Sequence, residues 1–442
     1  MPHYLFITAF YFKMAYLSHL FKLKNVYPKL YYCGLSLHNP SLRLPASSRK
    51  DWFIALRIIK RLMGLILNSK PKMNVAGHEE AILDSNAGSK EIRLNYVNKM
   101  DSEKSRLFLS KEDLISGASP LLKLFFIIYL FLVVFPLFIL SVISRDKSKF
   151  PLMVYEILEC SALNEILNRN NIQKLHYFSI YERDANICAF ITMKFAVIVN
   201  KITSEVPLVF WNKIIVSDSL SLCFKYQEDE VKKFNETIFV KEVKQWAPEQ
   251  IFIAKKEWFN KVKNSKNGNL GFYSSGNWLR DEIGNTNLDK NEAQNEDALL
   301  KSLCEFVNTH SDLKLQIFLH PMEKDLKYQS KVEAHYKMFM GDKIAIVDRS
   351  IRTSDAFDQS EIAIAQFSTI MFERIYFGFK SIIVPFGFEN SFIEESAFRN
   401  ILAYSSNEMI AKLRAALAQS EEEYYQSNKL FGYRHSDYFY TA

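Results

Sequence analysis

The chain has 442 residues, 48% of them hydrophobic, with 36 Phe and 22 Tyr, so it can bury two cores and is too apolar to be a disordered chain. Its five cysteines (Cys33, Cys160, Cys188, Cys223, Cys304) are scattered and show no C-x-x-C spacing, which argues against a disulfide framework or a zinc site and fits a reducing compartment. The formal charge of +7 is unevenly placed: residues 1–72 hold 12 Lys and Arg against one acid, Asp51, giving +11 there and leaving −4 for the rest.

Residues 1–20 are apolar but interrupted by His3, Lys13 and His19, with no small-residue cleavage site, so no cleaved signal peptide is expected. Residues 29–37 (KLYYCGLSL) read as a strand. Residues 48–68 read as a helix, with Trp52, Phe53, Leu56, Ile59, Met63 and Ile66 near helical spacing and basic residues between them. A cationic amphipathic helix of this kind lies in a membrane interface or covers the surface of an α/β domain. The basic, aromatic head favours an anionic membrane surface, and no nucleic-acid module stands behind it, so no nucleic-acid partner is expected. Residues 70–104 are polar and read as a linker or long loop. Residues 124–142 are 19 residues without a charge, close to the roughly 20 that cross a bilayer. Lys123 and Arg145 bracket them, and Pro136 leaves open whether the segment spans, dips in and returns, or lies along the membrane; a buried helix of a soluble core is the alternative.

From residue 150 onward strands and helices alternate, which predicts doubly wound α/β domains. Strands are expected at 175–180, 197–202 and 237–243, and helices at 153–168 and 185–195. A turn-rich hinge at 265–269 (SKNGN) opens a second alternation. It has strands at 270–273, 313–319, 344–347, 362–365, 381–385 and 401–404, and helices near 299–308, 325–340, 370–377 and 409–426.

In open α/β sheets ligands sit outside the carboxyl ends of the strands, and three turns there carry polar groups. Ser274, Ser275 and Gly276 follow the strand LGFY; two hydroxyls and a glycine let backbone approach a ligand. His320 follows LKLQIFL and precedes Pro321, which stops the strand and presents the imidazole at the rim. Ser368 and Thr369 stand where the strand IAIA hands over to a helix, with Glu373 four residues on and on the same face; the turn suits a phosphate and the carboxylate a ribose diol. Each turn also has an ordinary structural use as a cap or stop.

The His-Pro pair at a strand end, followed some 45 residues later by a Ser-Thr turn opening a helix, resembles the nucleotide-binding half of bacterial GT-B glycosyltransferases, and most of all the sialyltransferase, polysialyltransferase and capsule or lipooligosaccharide group. The resemblance covers residues 269–420. It implies two Rossmann-like domains, a nucleotide-sugar donor as substrate with no separate cofactor, and metal-independent transfer to a glycan or lipid-linked acceptor of the cell envelope, at the cytoplasmic face of the inner membrane. It assigns His320, Ser368 and Thr369 to the phosphate of the leaving nucleotide and Glu373 to the ribose. The short acidic motif of the sialyl members is interrupted here (Asp281, Glu282, Ile283, Gly284), so a CMP-sugar is one donor among several. The division expected is a basic N-terminal region (1–118), a hydrophobic membrane-associated helix (119–145), an acceptor-side α/β domain (146–264) and a nucleotide-sugar domain (265–442). Glu182 and Asp184, at the end of the strand LHYFSI, are candidates for the general base on the acceptor side. A polyol-phosphate transferase of the teichoic-acid type and a non-catalytic membrane-anchored binding protein are the competing readings.

Overall fold

The computed structural model describes residues 2–38, 60, 62–67, 78–84, 106–134, 149–177, 184–202, 214–222, 226–245, 268–283, 290–339, 341–351, 353–366, 368–385 and 397–431. The chain divides into two compact units, Met1–Ser204 with Phe210–Glu249, and Glu205–Val209 with Gln250–Ala442.

The first unit opens with helices α1 (Pro2–Leu20) and α2 (Pro28–His38). The strand expected at 29–37 is thus a helix. Leu30, Cys33 and Leu37, spaced by three and four residues, are buried together. Gly34 lets α2 close on α1, since a Cβ there would lie 2.1 Å from the Ala15 carbonyl oxygen. Packing of this face overrides the strand preference of the Tyr-Tyr-Cys run.

Strands β1 (Glu80–Asp84) and β2 (Arg106–Ser110) follow. β1 comes from the stretch 70–104 expected to be a linker and β2 from just after it, both within the region 1–118 placed ahead of the α/β domains, so the first α/β unit is not confined to 146–264. Each is a five-residue run inside polar sequence, too short to stand out by composition. Then come α3 (Leu114–Gly117), α4 (Pro120–Tyr129) with a π-helical extension Leu130–Val134, α5 (Lys149–Arg169), β3 (Lys174–Tyr177), α6 (Ala185–Lys194) and β4 (Ile198–Ile202). The unit closes with β5 (Ile215–Val216), β6 (Ser219–Leu222), α7 (Tyr226–Lys233), β7 (Ile238–Phe239) and β8 (Glu242–Gln245). Its main sheet runs β2-β1-β3-β4-β6-β8 with every pair parallel, and β5 pairs with β7.

Ser119 caps α4 by accepting from the Leu122 N–H at 3.3 Å, and Leu122, Phe126 and Leu130 are buried in the unit's core. The start of the long apolar run is therefore packed against protein on one side. Among the described residues no helix is long and apolar enough to cross a membrane. Residues 135–142, with Pro136, lie outside them, as does most of the expected helix at 48–68; residues 60 and 62–67 are helical.

The second unit contains β9 (Asn269–Tyr273), α8 (Asn277–Glu282), α9 (Lys290–Asn308), β10 (Lys314–Phe318), α10 (Gln329–Lys337) and β11 (Ile344–Ile346). It continues with β12 (Ile362–Ala365), α11 (Thr369–Tyr376), β13 (Lys380–Ile383), α12 (Ser406–Ala418) and α13 (Glu421–Ser427). The sheet order is β11-β10-β9-β12-β13, all parallel. Numbered within the unit this is 3-2-1-4-5, the Rossmann order, and the winding reverses between β9 and β12. All four residues of β12 are buried, as a central parallel strand covered on both faces requires.

Two expectations near the end are corrected. Residues 401–404 form no strand: a 3-10 turn (Ala397–Ile401) is followed by one bridge, Ile383 to Leu402, at the edge of β13. The closing helix is two helices, because Ser420 starts α13 with a capping box in which its hydroxyl accepts from the Glu423 N–H while Glu423 accepts from the Ser420 N–H.

Candidate anion site at the strand ends of the second unit

The reversal between β9 and β12 marks the crevice where open α/β sheets take ligands. The turns after β9, β10 and β12 meet there.

In the first turn the Ser274 N–H continues the ladder to the Phe318 carbonyl (3.0 Å), and the Ser274 hydroxyl accepts from the Gly276 N–H at 3.0 Å. Gly276 has φ +67°, and a Cβ on it would stand 3.2 Å from the His320 ring. Glycine is thus needed both for the left-handed turn and for the approach of the second turn. A residue that sequence reasoning missed organises this loop. Glu296 on α9 accepts from the backbone N–H groups of Ser275 and Asn277, the latter at 2.9 Å, and so satisfies the start of the short helix α8. Its signal was present: Ala293, Glu296, Leu300, Leu303 and Val307 recur at three- and four-residue spacing, and all are buried. Burial, followed by the negative charge of Glu323, pushes the Glu296 carboxyl up to about 7, against the opposing pull of the Ser275 and Asn277 N–H groups.

The second turn is built on another buried carboxylate. Glu323 accepts from the His320 N–H (2.7 Å), the Trp278 indole N–H (2.5 Å) and the Tyr336 hydroxyl (2.9 Å). It therefore ties His320 to α8 and α10 at once. The His320 ring has Nδ1 facing the Met322 N–H at 3.2 Å and Nε2 facing Nη2 of Arg280 at 3.1 Å. A neutral imidazole accepts at one nitrogen and donates at the other, whereas both facing groups are donors. In the Nδ1–H form Nε2 accepts from the Arg280 guanidinium; in the Nε2–H form Nδ1 accepts from the Met322 N–H and the ring N–H stands beside the guanidinium. In the second form an oxyanion beside the pair could accept from both.

In the third turn Gln366 is buried and accepts from the Asn277 side-chain amide at 2.9 Å, which joins this turn to the first. The Ser368 carbonyl accepts from the Met371 N–H (3.1 Å) as α11 begins, and Ser368 is half-buried. The Thr369 and Glu373 side chains lie outside the described residues, although both positions are on α11. That helix is pinned by Arg374, fully buried, which donates to the Tyr273 hydroxyl (3.1 Å) and to the carbonyls of Phe357 (2.7 Å) and Ser360 (2.9 Å).

The first unit places its candidates differently. Glu182 lies outside the described residues. Asp184 is buried at the start of α6 and bonded to the Lys111 ammonium at 2.9 and 3.1 Å, with the Cys188 thiol 3.6 Å away. Its geometry is that of a buried ion pair. A polar row crosses the same unit's sheet. Glu80 takes Arg106 at 2.8 Å and His176 Nε2 at 3.2 Å, and His176 Nδ1 meets the Asn200 amide at 3.3 Å. Asn200 Oδ1 in turn accepts from the Ser219 and Ser221 hydroxyls. The row fixes His176 as the neutral Nε2–H form, and burial, then the charge of Lys174, holds its imidazole down to about 4. Among the described residues no group of three His, Cys, Asp or Glu could hold a metal ion.

No protein-family model and no curated protein matches the chain. Solved structures do match, loosely. The UDP-GlcNAc 2-epimerase of Neisseria meningitidis bound to UDP-GlcNAc is 7% identical, with a TM-score of 0.46 over 81% of this chain and 94% of that one. A glycosyltransferase of Rickettsia africae is 11% identical, with a TM-score of 0.42 over 81% and 94%. The wall teichoic acid polymerase TagF is 11% identical, with a TM-score of 0.40 over 86% and 90%. The neighbours thus include a glycosyltransferase, a wall teichoic acid polymerase and a sugar epimerase, and the chemistry of this chain follows from its own residues.

Proposed function

We propose that the second unit binds the phosphate of a nucleotide-activated donor and that the protein is a glycosyltransferase of GT-B type, passing the donor's sugar to a cell-envelope glycan or a lipid-linked acceptor. What carries the reading is one observation: the Arg280 guanidinium and the His320 imidazole meet at 3.1 Å (Nη2 to Nε2) at the carboxyl ends of a Rossmann-ordered sheet. A departing nucleotide needs its developing negative charge met by fixed donors, and these two supply it with little reorganisation because Glu323 and Gly276 hold His320 in place. The planar guanidinium suits a phosphate edge. Ser368 and Thr369 at the start of α11 add the helix end to the same charge, and Glu373 takes the ribose.

Thermal-shift titration of the full chain with CMP, UDP, GDP and ADP, and with the matching nucleosides, tests this, because a ligand that binds only the native state raises the melting temperature. One nucleotide family is expected to shift the protein while its nucleoside does not. Arg280→Gln and His320→Ala each weaken that nucleotide by about tenfold or more, since each removes a donor to a charged group. Unchanged affinity in both variants, or no shift with any nucleotide, refutes the reading.

A further inference from the structure

Helix α1 has two faces. Tyr4, Leu5, Thr8, Phe12, Ala15 and Ser18 are buried against the first unit, while Phe6 (63% exposed), Phe10 (57%) and Leu20 (54%) point outward on the opposite side. The outward positions recur at helical spacing, so they form one continuous stripe. The turn that follows adds Phe21 and Val26, 64% and 63% exposed. Helix α4 packs beside α1 and repeats the pattern: Leu122 and Phe126 are buried, while Leu121, Leu124 and Ile128 face outward, and Phe131 and Leu132 continue the exposure past its end. Single exposed apolar residues are ordinary, but two adjacent helices each showing a stripe of them form a contact surface.

Charge identifies the occupant. Residues 2–38 hold four lysines and no Asp or Glu. Lys13 lies within the α1 stripe, Lys22 and Lys29 flank the turn, and all three are exposed; Lys24 faces Glu236 at 3.8 Å. We propose that the outward face of α1 and α4 seats the first unit on an anionic lipid surface, with the phenylalanines and leucines in the acyl boundary and the lysines at the headgroups. A second copy of the chain fits worse, because pairing this face with itself sets the same lysines against one another. An acidic peptide would meet the lysines but leave the rings in water. The helices lie along the membrane and do not cross it, since their inner faces are fixed in the unit's core and no described helix is long and apolar enough to span. This inference stands independently of the donor chemistry in the second unit.

The test is sedimentation of the full chain with vesicles of phosphatidylcholine alone and with about 30% phosphatidylglycerol, whose negative surface potential attracts basic segments. Binding is expected to the anionic vesicles and to weaken as salt rises. Phe6→Ser with Phe10→Ser lowers the partition by about tenfold or more, because two rings leave the interface. Lys13→Gln with Lys22→Gln and Lys29→Gln lowers it by roughly a hundredfold, at about fivefold per charge. These positions are exposed, so the melting temperature stays near that of the wild type. Should the phenylalanine variant fail to fold, Phe10→Cys carrying an environment-sensitive dye replaces it, and a blue shift on adding anionic vesicles is the expected result. Wild-type protein that ignores anionic vesicles, a Phe6→Ser, Phe10→Ser variant that binds them undiminished, or a dye that does not shift overturns the proposal. So does a wild-type dimer, seen by light scattering, that the phenylalanine changes split.

Discussion

Glu296→Gln isolates the buried carboxylate under the first turn. In the folded protein this group titrates at about 7, against 4.5 when unperturbed, with burial as the main cause. The folded state therefore binds the proton more tightly than the unfolded one. Stability from this group is fully present below pH 4.5 and is lost as pH rises through about 7. At about 1.4 kcal/mol per unit, the loss across that window is about 3 kcal/mol for the second unit. The glutamine variant lacks the titration. Its amide oxygen can accept one of the N–H groups of Ser275 and Asn277, but its NH2 faces the other, so it starts about 1–3 kcal/mol less stable at acid pH and shows little further change up to pH 8. Because the chain has two units, the reading must be local. Hydrogen exchange of the peptide covering residues 274–282, followed from pH 5 to 8 and corrected for intrinsic rates, reports it. The reasoning fails if wild-type protection in that peptide is flat or rises with pH, or if the glutamine variant keeps the wild-type slope.

The first unit responds in the opposite sense. His176 is held neutral, down to about 4 from 6.5, so the unfolded chain binds a proton that the folded one resists; stability is present above pH 6.5 and about 3 kcal/mol of it is lost as pH falls to about 4. Exchange of the peptides covering β3 and β4 checks this, and protection that holds steady on acidification contradicts it. Gly34→Ala tests the helix crossing: a methyl 2.1 Å from the Ala15 carbonyl forces α1 and α2 apart, at an overpacking cost of about 1–3 kcal/mol set against up to about 1 kcal/mol of helix propensity gained. Urea unfolding followed by circular dichroism should show a lower midpoint, and a raised one would mean that the helices do not cross there.

What could be read from the sequence depended on whether the decisive contacts were local. The strand at 362–365 and the helix after it were legible because a buried parallel strand is a short unbroken apolar run and a hydroxyl turn starts the next helix. The same logic misread 29–37, where the periodicity of Leu30, Cys33 and Leu37 is weaker than the pull of neighbouring tyrosines toward a strand, and it passed over β1 and β2 because five apolar or charged residues in a polar stretch carry too little signal. His320 was visible as a strand-end imidazole, whereas Arg280, 40 residues earlier in the chain, was not, since its approach depends on how α8 leaves Gly276.

The largest departure from sequence reasoning concerns what the first turn offers a ligand. Ser274, Ser275 and Gly276 suggest a turn whose hydroxyls and backbone approach a ligand, yet the N–H groups of Ser275 and Asn277 go to Glu296 and that of Gly276 goes to the Ser274 hydroxyl. A carboxylate from the same chain already answers the positive pole of this loop. Two acidic groups, Glu296 and Glu323, thus stand behind the rim, and an incoming phosphate is repelled by whichever of them is ionised unless cations stand in front. In the proposed reading Arg280 is such a cation and His320 lies beside it, both positioned by the very acids they must outweigh. Under the proposed function, anion recognition at this rim rests on side chains more than on backbone, so removing Arg280 should weaken nucleotide binding even though the turn itself is left intact.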